Sequence, residues 1–159
     1  MSPLAPRTWK KTSPRQARED SGAWPHSGTL LAMNRTFVSL GSAFAFLGVA
    51  LGAFGTHGLR DRLSEANLKI WQTGVQYHLI HAVALVLVGL LAAQESGRAV
   101  RTAGWLMAVG IVIFSGSLYA LAVTDVKILG AITPLGGLCF LASWLTLAVS
   151  FGRPKRAKS

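Results

Sequence analysis

What this chain lacks most tellingly is charge in four places. Residues 36–55, 71–93, 103–123 and 128–151 contain no Asp, Glu, Lys or Arg. That absence excludes an ordinary soluble domain, whose helices keep a charged face toward water. Runs of about 20 residues at 1.5 Å rise cross a hydrocarbon core of about 30 Å. In a chain of 159 residues, four such spans with short connectors leave no room for a soluble domain.

Cysteine is nearly missing as well. Cys139 is the single one, so there is no disulfide framework and no Cys-based metal motif. Its position inside an apolar run makes it a small packing residue. Carboxylates are absent from all four runs, and no G-x-S-x-G, P-loop, H-E-x-x-H or Ser-His-Asp arrangement occurs. The sequence therefore reads as a non-enzyme, with no catalytic residue, resident metal or cofactor to assign.

What is present in excess is basic charge, 16 Lys and Arg against six Asp and Glu. Such an excess can mark nucleic-acid binding, but its placement argues against that. Six of the basic residues lie in residues 1–35, four in the last seven residues, and Arg98 and Arg101 in the connector between the second and third runs. Arg60, Arg62, Lys69 and Lys127 fall on the opposite side of a four-span chain. Basic flanks on apolar helices follow the positive-inside rule, which predicts both termini in the cytoplasm and names the lipid bilayer as the partner. No protein partner is identifiable.

Residues 1–32 are rich in Pro, Ser, Arg and Gly without apolar periodicity, which predicts a disordered basic extension. Met33 begins a short basic leader directly before the first span and is a candidate translation start; the Arg-rich segment competes as a targeting peptide, although Glu19 and Asp20 are unusual for one. Residues 33–152 form the membrane domain, and 153–159 a basic cytoplasmic tail.

The first span carries Gly41, Ala45, Gly48, Gly52 and Gly55 along one helical face, the small-residue pattern that lets helix backbones approach closely in lipid. Its partner is either another span or a second copy of the chain. In the connector, Leu59, Leu63, Ala66 and Ile70 recur at helical spacing, which predicts a short amphipathic segment at the interface. Ser64 reads as its N-cap and Glu65 with Lys69 as an i, i+4 ion pair. Trp71 and Trp105 sit near span starts, where such rings favour the interface. In the fourth span Pro134 predicts a kink or local unwinding near Gly130 to Pro134.

The second span holds the deep polar groups. Trp71, Gly74, Tyr77, His78 and His81 share one arc, Gln72 and Gln76 lie on another sector, and Val75, Leu79, Ala82 and Val86 form the arc expected to face lipid. Polar groups on two sides predict a central place in the bundle. An intramembrane ionisable residue raises a functional question by default. Three readings stay open for His57, Gln72, Gln76, Tyr77, His78 and His81. They bond across helices to backbone carbonyls and hydroxyls such as Ser42, Ser115 and Ser117; or they line a proton or small-solute path; or His57, His78 and His81 hold a metal or haem, with Asp61 as a candidate further ligand.

The strings Leu51-Gly-Ala-Phe-Gly-Thr-His-Gly-Leu59, Trp71-Gln-Thr-Gly-Val-Gln-Tyr-His78 and His81-Ala82 resemble the domain of unknown function 423 family of small four-span bacterial membrane proteins. The likeness covers about Asn34 to Gly152, with signature matches at Gly52 to Gly58 and at Trp71, Thr73, Gly74, Tyr77 and His81. Residues 1–32 have no counterpart, which adds weight to Met33 as the start. The resemblance implies a four-span fold in a bacterial membrane and no particular activity.

The expected architecture is all-α, a four-helix transmembrane bundle in the inner membrane of a bacterium. The expected function is a structural or interaction role, with a small His/Tyr-lined transporter or a metal-binding protein as alternatives.

Overall fold

A computed structural model describes residues 34–92 and 97–152, and all regular structure among them is helical. The expectations for residues 1–32, for Met33 as a start and for the 153–159 tail lie outside the described residues. The elements are α1 (Arg35–His57), α2 (Glu65–Leu91), α3 (Arg98–Gly110), a π-helical turn (Ile111–Ser115), α4 (Gly116–Thr124) and α5 (Ile128–Gly152). α3, the π turn and α4 run on as one third span, so four helices are long and apolar enough to cross a membrane.

α1 lies on α2, α2 on the third span, and the third span on α5. The two middle spans are the more buried, which gives α2 the central place its polar sectors predict. Large apolar side chains face outward all round, among them Phe46 at 78% exposure and Leu141 at 67%, as a helix bundle in lipid requires.

The small-residue face of α1 is spent on α2. A Cβ added at Gly41 would stand 2.8 Å from the Val86 nitrogen and 2.9 Å from the Ala82 carbonyl oxygen, so the two backbones nearly touch there. Gly48 seats Leu79 and His78, and Gly52 seats Val75. The arc Val75, Leu79, Ala82 and Val86 is therefore the seat of α1 rather than the lipid face: a stripe of glycines needs side chains of that size to fill it. The outward face of α2 is instead Ile80, Val83, Leu87 and Leu90.

Ser64 caps α2, its hydroxyl accepting from the Asn67 N–H at 3.2 Å, and Lys69 pairs with Glu65 at 2.9 Å. The amphipathic segment is the first two turns of α2, continuous with the span. Ahead of it, residues 59–63 make a single turn, with the Arg62 and Leu63 amides both bonding the Leu59 carbonyl at 3.0 Å. Leu59 is buried against Trp71 and Ala122, closing this end of the bundle.

At the opposite end Phe37, Leu85, Val88, Val100, Ala103, Met107 and Leu147 bring all four spans together in one core. The Asn34 N–H donates to the Gly89 carbonyl at 2.9 Å, and the buried Ser143 hydroxyl donates to the Ala103 carbonyl at 2.7 Å.

α5 is helical throughout, so the unwinding expected near Gly130 to Pro134 does not occur. Pro134 is exposed, and its missing N–H removes one bond within α5, the one to the Gly130 carbonyl in the first turns of the helix. The irregularity falls in the third span instead. The π turn brings Phe114 against Gly136 of α5, where a Cβ would come within 2.8 Å of the Phe114 Cα.

Candidate functional site

His78 is the central residue of the 27-residue α2, and His81 lies one turn further on. Both are buried. At 100° per residue three positions subtend 300°, so the two rings leave the helix in directions about 60° apart and meet different neighbours.

His78 turns toward α1 and α4. The Tyr119 hydroxyl lies 3.2 Å from its Nδ1. Phe44 packs edge-on to the ring at 5.7 Å, and Gly48 leaves room for its Cδ2. Tyr119 can reach because Gly74, one turn earlier on α2, has no side chain: a Cβ there would stand 2.9 Å from the Tyr119 Cε1. Tyr119 also rests on Trp71 with ring centroids 4.6 Å apart. Trp71 in turn fits over Gly55 of α1 and donates its indole N–H to the Leu51 carbonyl at 3.1 Å. Thus Trp71 is a buried tie and not an interfacial anchor, because its one polar atom finds a carbonyl inside the bundle. Trp105, at 50% exposure, keeps its place at the surface. The His78 Nε2 is buried without a hydrogen-bond partner among the described residues.

His81 turns toward α5. Its Nδ1 is 2.8 Å from the Tyr77 carbonyl, and the Trp144 indole nitrogen is 3.3 Å from its Nε2. A carbonyl only accepts and an indole N–H only donates, so this pair fixes the neutral ring with its hydrogen on Nδ1. Phe140 stacks on the ring at a centroid distance of 3.5 Å and an interplanar angle of 12°. Tyr77 lies on the same side, stacked on His81 at 5.9 Å and touching Phe114 at 4.6 Å.

Between α2 and α5 lies a cavity of about 570 Å³ lined by Tyr77, His81, Phe114, Pro134, Phe140, Leu141 and Trp144, among others. α2 and α5 make little direct backbone contact, and aromatic rings bridge the gap. Its lining is almost wholly apolar and several of its side chains are outward-facing, so it is a lateral crevice open to lipid.

The remaining expected residues lie apart. Gln72 and Gln76 are exposed in a shallow notch with Gly52, Gly55 and Thr56, and bond to no other span. His57 is exposed in the last turn of α1. It stands 13 residues from Phe44, or about 20 Å along the helix axis, and so does not join His78. The three histidines face three directions, and no group of three His, Cys, Asp or Glu side chains converges among the described residues.

The hydroxyl partners also differ from expectation. Ser42 faces outward, Ser115 is buried without a partner, and Ser117 bonds the Phe114 carbonyl at 2.9 Å and the Thr133 hydroxyl at 2.8 Å. Tyr119 and Trp144 take their place. The signal for both was an amphipathic ring deep inside an apolar run, where a polar atom needs a partner in the protein.

Residues 51–137 match the family described as "Protein of unknown function (DUF423)". The chain is 54% identical over 117 residues to the UPF0382 membrane protein YwdK of Bacillus subtilis (strain 168), a match covering 73% of this chain and 95% of that protein. It is 45% identical over 116 residues to the UPF0382 membrane protein SH2409 of Staphylococcus haemolyticus (strain JCSC1435), covering 73% and 94% respectively. No solved structure matches the chain. The matched residues open at Leu51, whose carbonyl takes the Trp71 indole, hold both deep histidines and run past the Pro134 that lines the cavity; this buried core is that of a membrane protein of the DUF423 family, to which the chain belongs.

Proposed function

We propose that this chain is a structural or interaction element of a bacterial inner membrane, with both termini cytoplasmic, and not an enzyme, a transporter or a metal carrier. One observation carries the reading: both ring nitrogens of His81 are bonded within the bundle while its face is stacked on Phe140. An imidazole so held ties α2 to α5. It has no free nitrogen for a metal, and no hydrogen-bond chain among the described residues joins it to His78. The crevice beside it is apolar, which suits lipid contact better than a path for water or ions. The cytoplasmic orientation draws on the basic residues flanking the spans.

The test is proton flux into vesicles carrying the full chain or His81→Gln, read with a pH-sensitive dye, alongside denaturation in mixed micelles. A structural tie gives no flux above empty vesicles for either protein and a loss of about 1 kcal/mol for the variant. Flux in the wild type that His81→Gln abolishes would overturn the reading.

A further inference from the structure

The third span carries two adjoining hollows of opposite chemistry. The first, of about 320 Å³, is lined by Arg98, Arg101, Thr102 and Trp105 on the first two turns of α3. The second, also about 320 Å³, has a wholly apolar lining that includes Leu40, Phe44, Trp105, Val109 and Val112 and lies between α1 and the third span. Trp105 belongs to both. Its ring is held edge-on by Phe37 at 5.6 Å, and Phe37 is seated over Gly104. The wall between the hollows is therefore a half-exposed aromatic ring braced on one side by Phe37.

The order of these groups follows from helical spacing. Positions 98, 101, 102, 105, 109 and 112 fall on one face, with guanidinium groups and a hydroxyl first, an indole next, and valines last. From Arg101 to Val112 the face descends about 16 Å, close to one leaflet of a hydrocarbon core about 30 Å thick. Among the described residues neither arginine has an ion-pair partner. Planar guanidinium groups one turn apart match the oxygens of a phosphate, and an apolar trough directly below matches the chain attached to it.

We propose that this face is a binding site for one anionic phospholipid, with its phosphate between Arg98 and Arg101, its glycerol region against Trp105, and an acyl chain along Val109 and Val112 in the groove beside α1. A basic pocket at the foot of a transmembrane helix is a recurrent form of lipid recognition. Here the continuity of head and tail sites through one residue distinguishes it from scattered interfacial arginines. The lipid would bridge the third span to α1, whose own backbone otherwise touches mainly α2.

Native mass spectrometry of the full chain in detergent, titrated with phosphatidylglycerol or with phosphatidylcholine of the same acyl chains, tests this directly. The wild type should retain one phosphatidylglycerol in preference to phosphatidylcholine. Arg98→Gln/Arg101→Gln should weaken that binding about 10- to 30-fold, since each basic residue near a membrane surface counts for about one factor of five. Arg60→Gln/Arg62→Gln, at the opposite interface, should leave it unchanged. Val109→Trp, filling the groove while keeping both arginines, should weaken retention of either lipid. Equal retention of the two lipids by the wild type, equal losses in the two arginine pairs, or binding of glycerol 3-phosphate as tight as that of the intact lipid would each overturn the proposal.

Discussion

α2 meets its neighbours in two different ways, and its two histidines fall one on each side. Toward α1 and α4 the interface is closed by absence: Gly41, Gly48, Gly55 and Gly74 remove side chains so that Val86, Leu79, Trp71 and Tyr119 fit. Toward α5 it is closed by bulk, with Phe140, Trp144 and Tyr77 reaching across a gap and leaving a crevice of about 570 Å³. Lipid tails are as apolar as leucine, so association in the membrane rests on packing and interhelical hydrogen bonds rather than on water exclusion. The first interface draws on close backbone packing with the Trp71–Leu51 and Tyr119–His78 bonds set into it, and the second on ring stacking with the single Trp144–His81 bond. They should therefore fail differently.

The largest effect is expected on the close-packed side. At Gly41 the atoms a new Cβ would strike are backbone, the Val86 nitrogen at 2.8 Å and the Ala82 oxygen at 2.9 Å, so no rotamer change relieves the clash and α1 must move away. Gly41→Ala should cost about 3 kcal/mol, the upper part of the range for overpacking, read as a shifted midpoint in detergent denaturation. Gly52→Ala is the internal control. Its Cβ would meet only the Val75 Cγ1, at 3.2 Å, and the loss should be under about 1 kcal/mol. Equal losses at the two positions would mean that α1 does not sit on α2 as described.

A smaller difference should separate the two histidine ties. Tyr119→Phe removes the one aligned partner of His78, whose Nε2 already lacks one, and leaves a buried ring with no hydrogen bond. Trp144→Phe removes the donor to the His81 Nε2 but leaves Nδ1 on the Tyr77 carbonyl and the ring on Phe140. Leaving a buried ring with no hydrogen bond at all costs about 1–3 kcal/mol, whereas deleting one interhelical bond from a ring that keeps its bond within α2 costs about 0.6 to 1.7 kcal/mol. Tyr119→Phe should thus be the more damaging in the same denaturation measurement. The reverse order would place the stronger tie on the α5 side.

Much of the close-packed side was legible in the sequence, because its rules are local. The glycine stripe of α1, the Ser64 cap and the Glu65–Lys69 pair each depend on spacing within one helix. The arc of α2 from Val75 to Val86 was misread for a related reason: an apolar face looks the same whether it meets lipid or a stripe of glycines on another helix. His81 and Trp144 are 63 residues apart, and His78 and Tyr119 are 41 apart. Pairings at such separations depend on the rotation of each helix about its axis, which a hydropathy pattern uniform around the helix does not fix. The π turn at Ile111–Ser115 has no marker in its own residues; it coincides with the close approach of Phe114 to Gly136, a pairing between helices.

That fit supplies the finest distinction between packed and open surfaces, at two adjacent glycines of α5. At Gly136 a Cβ would stand 2.7 Å from the Phe114 Cβ and 2.8 Å from its Cα, on the packed side of the helix. At Gly137, 100° further round, the nearest atoms are Phe114 ring carbons at 3.8 Å, an ordinary van der Waals distance, and the residue borders the crevice. Gly137→Ala adds a contact, and a helix-interior alanine replaces a glycine that loses more backbone entropy on folding, a gain of up to about 1 kcal/mol. Its midpoint should be unchanged or slightly raised. A loss at Gly137 would mean that the crevice is already filled by a tightly held molecule, since the protein atoms nearest the added methyl, the Phe114 ring carbons, stand at an unstrained contact distance.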